Sequence, residues 1–143
     1  GARVVQLFDS WAGFLTDADY VASVAPHSAK ALAAVEGRVP RIHFGTGTRH
    51  LLTDMAAVGV EAMGIDYRTP LDEAAWLLPG IPLQGNIDPA LLSAGWEPLA
   101  GHAADVVERG KAAPAHIVNL GHGVPPTTDP GVLTELVAFL HEL

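Results

Sequence analysis

Ala115-His116-Ile117-Val118-Asn119-Leu120-Gly121-His122-Gly123-Val124-Pro125-Pro126 is the stretch that decides the fold. Ile117, Val118 and Leu120 form an apolar run of strand character that stops at Gly121-His122-Gly123. Two glycines free the backbone to take positive φ and set a single titratable imidazole at the strand's end. Ligands of parallel α/β folds sit at the carboxyl ends of strands, so His122 is placed where chemistry happens. Asn119, just upstream, can point its amide at the same mouth. The competing reading of these residues is a plain turn in which His122 caps the helix that follows.

Working outward, the same grammar repeats. Val4-Val5-Gln6-Leu7-Phe8 reads as a buried strand ending at Asp9-Ser10-Trp11-Ala12-Gly13. Thr16 and Asp19 have capping-box spacing, and Tyr20, Val21, Val24, Leu32 and Val35 recur at helical spacing through Glu36. Pro26 predicts a split into two helices, and Gly37 a stop. Arg41-Ile42-His43-Phe44 is the second strand, closed by Gly45-Thr46-Gly47-Thr48; Leu51, Leu52, Met55 and Val58 then mark a helix. Ala62-Met63-Gly64-Ile65 is the third strand, ending at Asp66-Tyr67-Arg68, with a helix from Pro70 through Leu78. Ile81-Pro82-Leu83-Gln84 is the fourth, ending at Gly85-Asn86-Ile87-Asp88-Pro89, and Ala90 to Gly110 holds at least one helix. The fifth strand is His116 to Leu120, and Asp129-Pro130 caps a last helix to Leu143.

Five βα units in strict alternation predict an α/β fold with a parallel sheet and right-handed crossovers. A small or polar cluster at every strand's carboxyl end is the habit of a (βα) barrel of the TIM type. Five units do not close an eight-stranded barrel, so the expectation is an incomplete one, about five of eight units, lacking strands on the amino-terminal side and exposing apolar edges.

Bulk composition narrows the function. The 143 residues are 49% hydrophobic and 17% charged, a globular composition suited to strands buried on both faces. The absence of cysteine excludes disulfides and thiolate metal sites within the segment. A net charge of −8, from 16 acidic against 8 basic residues, argues against nucleic acid or an anionic membrane as main partner. It leaves room for an anionic small substrate, because a few local groups dominate a cleft. No apolar stretch reaches transmembrane length.

Several motifs read two ways. Gly45-Thr46-Gly47-Thr48 resembles a phosphate-cradling loop but lacks the P-loop lysine and spacing, so a tight strand-to-helix turn is preferred. The seven histidines show no HxxxH or HExxH spacing that would suggest metal. Asp9 and Asp66 could serve acid–base work, but holding loop backbone is the preferred role. Ser10 lacks a nucleophile elbow and suits hydrogen bonding to a substrate carboxylate. Trp11, Trp76 and Trp96 read as core or interface packing.

Taken together, the strand ends resemble one family. Gln6-Leu7-Phe8-Asp9-Ser10-Trp11-Ala12-Gly13, Phe44-Gly45-Thr46-Gly47, Gly64-Ile65-Asp66-Tyr67-Arg68, Leu83-Gln84-Gly85-Asn86-Ile87-Asp88-Pro89 and Asn119-Leu120-Gly121-His122-Gly123 look like uroporphyrinogen decarboxylase, in matching order. The resemblance implies a (βα)8 barrel enzyme of haem and porphyrin biosynthesis, a cytoplasmic homodimer without cofactor or metal. Its substrate is uroporphyrinogen III, whose four acetate side chains lose CO2 to give coproporphyrinogen III. By the same resemblance Ser10 and His122 bind substrate, with Asp66, Asn86 and Asn119 as cleft-lining candidates. The family's Arg-rich motif and its pyrrole-binding Asp have no counterpart here. The segment is therefore expected to be the carboxyl-terminal portion of the barrel and inactive alone. The alternatives are a diverged barrel such as a corrinoid-dependent methyltransferase, which would look for a zinc site, or a non-catalytic piece.

Overall fold

Five short strands, β1 (Val5–Asp9), β2 (Arg41–Gly45), β3 (Ala62–Gly64), β4 (Leu83–Ile87) and β5 (His116–Leu120), form one sheet in sequential order. A computed structural model describes residues 1–143. All four pairings are parallel. Helices α1 (Asp17–Ser23), α2 (Ala25–Ala33), α3 (Leu52–Ala57), α4 (Leu71–Leu77) and α5 (Trp96–Gly110) fill the crossovers, and α6 (Pro130–Leu140) follows β5. Sequential order with one helical layer per crossover is the pattern of a TIM-type (βα) barrel, here incomplete, with β1 and β5 unpaired to each other.

Alternation decides which side of each strand is core. Met63 and Leu83 share a register row, and both are fully buried with Leu52, Met55, Leu99 and Val106 from the helices. The opposite row runs Phe8, Phe44, Gly64, Gln84, Ile117 and faces the concave side. β2, β3 and β4 are buried throughout, as strands covered on both faces must be. β1 and β5 are only half covered: Phe8 is 67% exposed and Ile117 48%. The expected apolar edge exposure is thus present.

Local signals set most boundaries. The Thr16 hydroxyl accepts from the Asp19 amide at 3.2 Å and caps α1, worth about 1 kcal/mol. Pro26 lies in the first turn of α2, where its missing N–H costs nothing, so the helix breaks just before it. Asp129 caps α6 by accepting from the Gly131 amide at 2.8 Å. At the amino ends of β2 and β3, Arg41 and Glu61 form a fork-to-fork pair at 2.7 and 3.1 Å. That guanidinium holds the Glu61 carboxyl down at about 2.

The fourth strand departs from expectation. It does not occupy Ile81–Gln84 but runs on from Leu83 through Gly85 and Asn86 to Ile87. Gly85, Asn86 and Ile87 pair with Val118, Asn119 and Leu120, and Ile87 enters the core at 1% exposure. Turn-forming residue types lost to the pairing offered by β5. Trp11 and Trp76 are not core: both are about 80% exposed, Trp11 stacking on Phe14, while Trp96 packs edge-on against Phe139. No helix is long and apolar enough to cross a membrane.

Candidate functional site

The concave side of the sheet opens at the strands' carboxyl ends into a cleft of about 430 Å³. Gln6 of β1 and Gln84 of β4 make its floor, Phe8 and Phe44 one wall, and Ser10, Asn119 and His122 its rim. The two phenylalanine rings meet edge to face at 5.8 Å. Gly64 is required for this: a Cβ there would lie 2.9 Å from the Phe44 side chain. The missing side chain at Gly64 therefore makes room for the Phe44 ring on the concave side.

The rim residues are fixed by contacts between neighbouring loops. The Ser10 carbonyl accepts from the Thr46 hydroxyl at 2.5 Å, which ties the loop after β1 to the loop after β2. Gly13 tightens the same junction, since a Cβ would overlap the carbonyls of Thr46 and Gly47. Asn119 bonds its own neighbour: the Leu120 amide donates to Asn119 Oδ1 at 2.9 Å. His122 is exposed at the cleft rim.

The glycines flanking His122 act differently from expectation. Neither Gly121 nor Gly123 has positive φ. Gly121 is needed for close approach, because a Cβ would overlap the backbone of Tyr67 in the loop after β3. Gly123 meets nothing within 4 Å. Strand β5 is thus pressed onto the β3 loop at Gly121, and that contact aims His122.

Asp66 and Asn86 do not join the rim. Asp66 is buried, accepting from the Gly47 amide at 2.6 Å and from the Arg68 guanidinium at 3.0 Å. Asn86, also buried, donates to the Asp66 carbonyl at 2.9 Å and the Thr69 carbonyl at 2.6 Å. With the Thr46 hydroxyl and the Gly121–Tyr67 contact, these bonds form a belt linking the carboxyl ends of all five strands. The reason is polar accounting: buried loop carbonyls and amides need partners, and these two side chains supply them. The Gly47 amide that a phosphate would use is occupied by Asp66, so Gly45–Thr48 is a strand-to-helix turn. Arg68 stacks on Tyr67, Arg49 pairs with Glu73 and Arg41 with Glu61, so none of the three reaches the cleft lining.

Most histidines are committed to backbone. His102 accepts from the Asp88 amide at 3.0 Å, His116 meets the Gly85 carbonyl at 2.6 Å, and His50 meets that of Leu15 at 2.9 Å. His43 is fully buried, bonded through Nδ1 to the Met55 carbonyl at 3.1 Å. Burial pushes its imidazole below the usual histidine range, with Nε2 lacking a partner 4.0 Å from Asp9. Nearby Tyr20 is likewise buried, its hydroxyl unpartnered and pushed up to about 12 by burial and the Asp9 charge. His122 is the one titratable side chain on the cleft.

Sequence reading passed over the floor. Gln84 donates through Nε2 to Gln6 Oε1 at 3.0 Å across three strand intervals. A glutamine inside the apolar run Val4–Phe8, at Gln6, was the one available signal, and it named no partner. Strands three places apart lie roughly 14 Å apart in a flat sheet, so this bond requires the sheet to curl.

The model of the family described as uroporphyrinogen decarboxylase (URO-D) matches residues 1–143. A uroporphyrinogen decarboxylase of Arthrobacter sp. (strain FB24) is 58% identical over 145 residues, covering 100% of this chain and 42% of that protein. One of Leifsonia xyli subsp. xyli (strain CTCB07) is 52% identical, covering 99% of this chain and 42% of that protein. The chain thus spans well under half the length of these relatives. A solved methyltransferase from Methanosarcina mazei superposes with a TM-score of 0.86 at 19% identity, over 99% of this chain and 42% of that one, a likeness of fold.

Proposed function

The chain belongs to the uroporphyrinogen decarboxylase family, and we propose that it is the carboxyl-terminal part of a barrel that removes CO2 from the acetate arms of uroporphyrinogen III. The product is coproporphyrinogen III, formed without cofactor, in a cytoplasmic homodimer of the haem and porphyrin pathway. The observation that carries this reading is convergence: Ser10, from the first strand end, and Asn119 and His122, from the last, border one cleft floored by glutamine and walled by phenylalanine.

Chemistry fits the lining. Losing CO2 from a pyrrole acetate needs an electron sink, which protonation of the ring supplies. The site must then hold the carboxylates and shield the cationic ring from water. Phe8 and Phe44 offer an apolar wall to the macrocycle, and Ser10, Asn119 and His122 offer hydrogen bonds to its arms. The His122 ring can donate a hydrogen bond to a carboxylate arm at the rim. The acid that protonates the ring is assigned to the rest of the barrel, since His122 sits at the rim. The 143 residues alone are therefore proposed to be inactive.

The test is an anaerobic uroporphyrinogen III assay with the full-length protein beside the 143-residue segment. Coproporphyrinogen from the full-length protein and none from the segment is the expected result. Turnover by the segment would overturn the assignment of the acid. No turnover by either would leave a family fold with another reaction.

A further inference from the structure

Two of the cleft's three side-chain amides, Gln6 and Asn119, are turned toward hydrogen-bond donation by bonds the protein makes to itself, while the third, Gln84, keeps its oxygen as well as one N–H. A side-chain amide has an accepting oxygen and a donating nitrogen. Gln6 Oε1 accepts from Gln84, and Asn119 Oδ1 accepts from the Leu120 amide. In both residues the oxygen is engaged and the NH2 is left for a ligand. Gln84 keeps one further N–H beside the Gln6 amide, in a residue that is itself buried. No aspartate or glutamate lines the cleft, although the chain carries a net charge of −8. No lysine or arginine lines it either.

We propose that Gln6, Gln84 and Asn119 form a neutral donor seat for a carboxylate arm, and so determine specificity for polycarboxylate ligands. The proposal rests on the cleft being the substrate site and adds to it which atoms select the substrate. A carboxylate lowered to the floor meets the Gln6 NH2 and the spare Gln84 N–H; a second arm at the rim meets the Asn119 NH2. Hydrogen bonds from neutral amides to a charged acceptor are stronger than neutral pairs, and stronger still where water is excluded.

Gln6→Glu separates this role from a structural one. Glutamate can still accept from Gln84 Nε2, so the clasp between β1 and β4 survives, but the donor end becomes an anion. Asn119→Asp does the same at the rim, where the aspartate can still accept from Leu120. The full-length protein and both variants are titrated with uroporphyrin and with benzenehexacarboxylate, and their melting temperatures are recorded. The expected result is affinity weakened roughly ten- to a hundredfold in each variant, the loss of one charge-assisted bond, at melting temperatures close to wild type. Wild-type binding of benzenehexacarboxylate without porphyrin, still lost in the variants, sustains the donor seat and overturns the decarboxylase reading. Variants that bind both probes as wild type does, or a wild type that binds neither, overturn the seat. If Gln6→Glu does not fold, Asn119→Asp, on an exposed side chain, decides alone.

Discussion

Replacing Gly121 with alanine tests how the barrel aims His122. The added Cβ would lie 2.7 Å from Tyr67 Cα and 2.8 Å from Tyr67 Cβ, with the Tyr67 amide nitrogen nearer still. Non-bonded carbons settle at about 3.5–4.0 Å, so β5 and the β3 loop must part by roughly 1 Å. Both sides of the contact are backbone, and Tyr67 lies between Asp66 and Arg68 in the belt, so no flexible side chain can absorb the strain. Overpacking of this kind costs about 1–3 kcal/mol. A displacement of about 1 Å at a substrate group can lower turnover by up to about 10²-fold. In the full-length protein, Gly121→Ala is expected to lower the melting temperature and to reduce kcat/KM about ten- to a hundredfold. Gly123→Ala is the matched control. It sits on the other side of His122, has no neighbour within 4 Å and needs no positive φ, so it is expected to behave as wild type. Thermal melts and anaerobic kinetics on both variants give the answer. Equal behaviour of the two would refute the packing argument.

Three further outcomes follow from the belt and from two side chains, His43 and Glu61, whose proton affinity changes on folding. Asn86→Ala leaves the Thr69 carbonyl without a donor and the Asp66 carbonyl with only the Thr69 amide, and unfolding should ease by about 1–3 kcal/mol in denaturant titration, with m unchanged. His43 is neutral when folded because burial depresses its proton affinity, while the unfolded chain takes a proton near pH 6.5. The unfolded state binds more protons below that value, so the melting temperature should fall as pH drops from 7 toward 5, and His43→Gln should flatten that slope. Glu61 titrates at about 2 when folded and near 4.5 when unfolded, so its stabilisation is complete above pH 4.5 and is lost as pH falls toward 2. Half-exposed, the carboxylate is screened, so Glu61→Gln should lower the acid slope only modestly in a pH-dependent melt.

Much of the fold was legible because local signals and tertiary demands agree. Alternating apolar runs and helical spacing gave five βα units; Thr16, Pro26 and Asp129 gave helix starts that the structure uses. Disagreement arose where a long-range contact overrode a local preference. Gly85-Asn86 has turn chemistry, yet β5 pairs with it and extends the strand. Gly121 suggested backbone freedom, whereas its role is to admit Tyr67, a residue distant in sequence. Polar strand-end residues were recognised as a class, but sequence could not separate those facing the cleft from those facing the loops. Asp66 and Asn86 turn to backbone, while Ser10, Asn119 and His122 turn to the cleft. The Gln6–Gln84 bond joins strands that are not neighbours, so no pattern along either strand announces it.

The central claim is that the cleft bordered by Ser10, Asn119 and His122 receives the substrate's carboxylate arms. Anaerobic kcat/KM for uroporphyrinogen III, measured on full-length wild type and on His122→Ala, tests it most directly. Since His122 is exposed, the variant should keep its melting temperature, within the small range of surface substitutions. Its kcat/KM should fall about ten- to a hundredfold. An unchanged kcat/KM in a folded variant would contradict the placement of the substrate in this cleft.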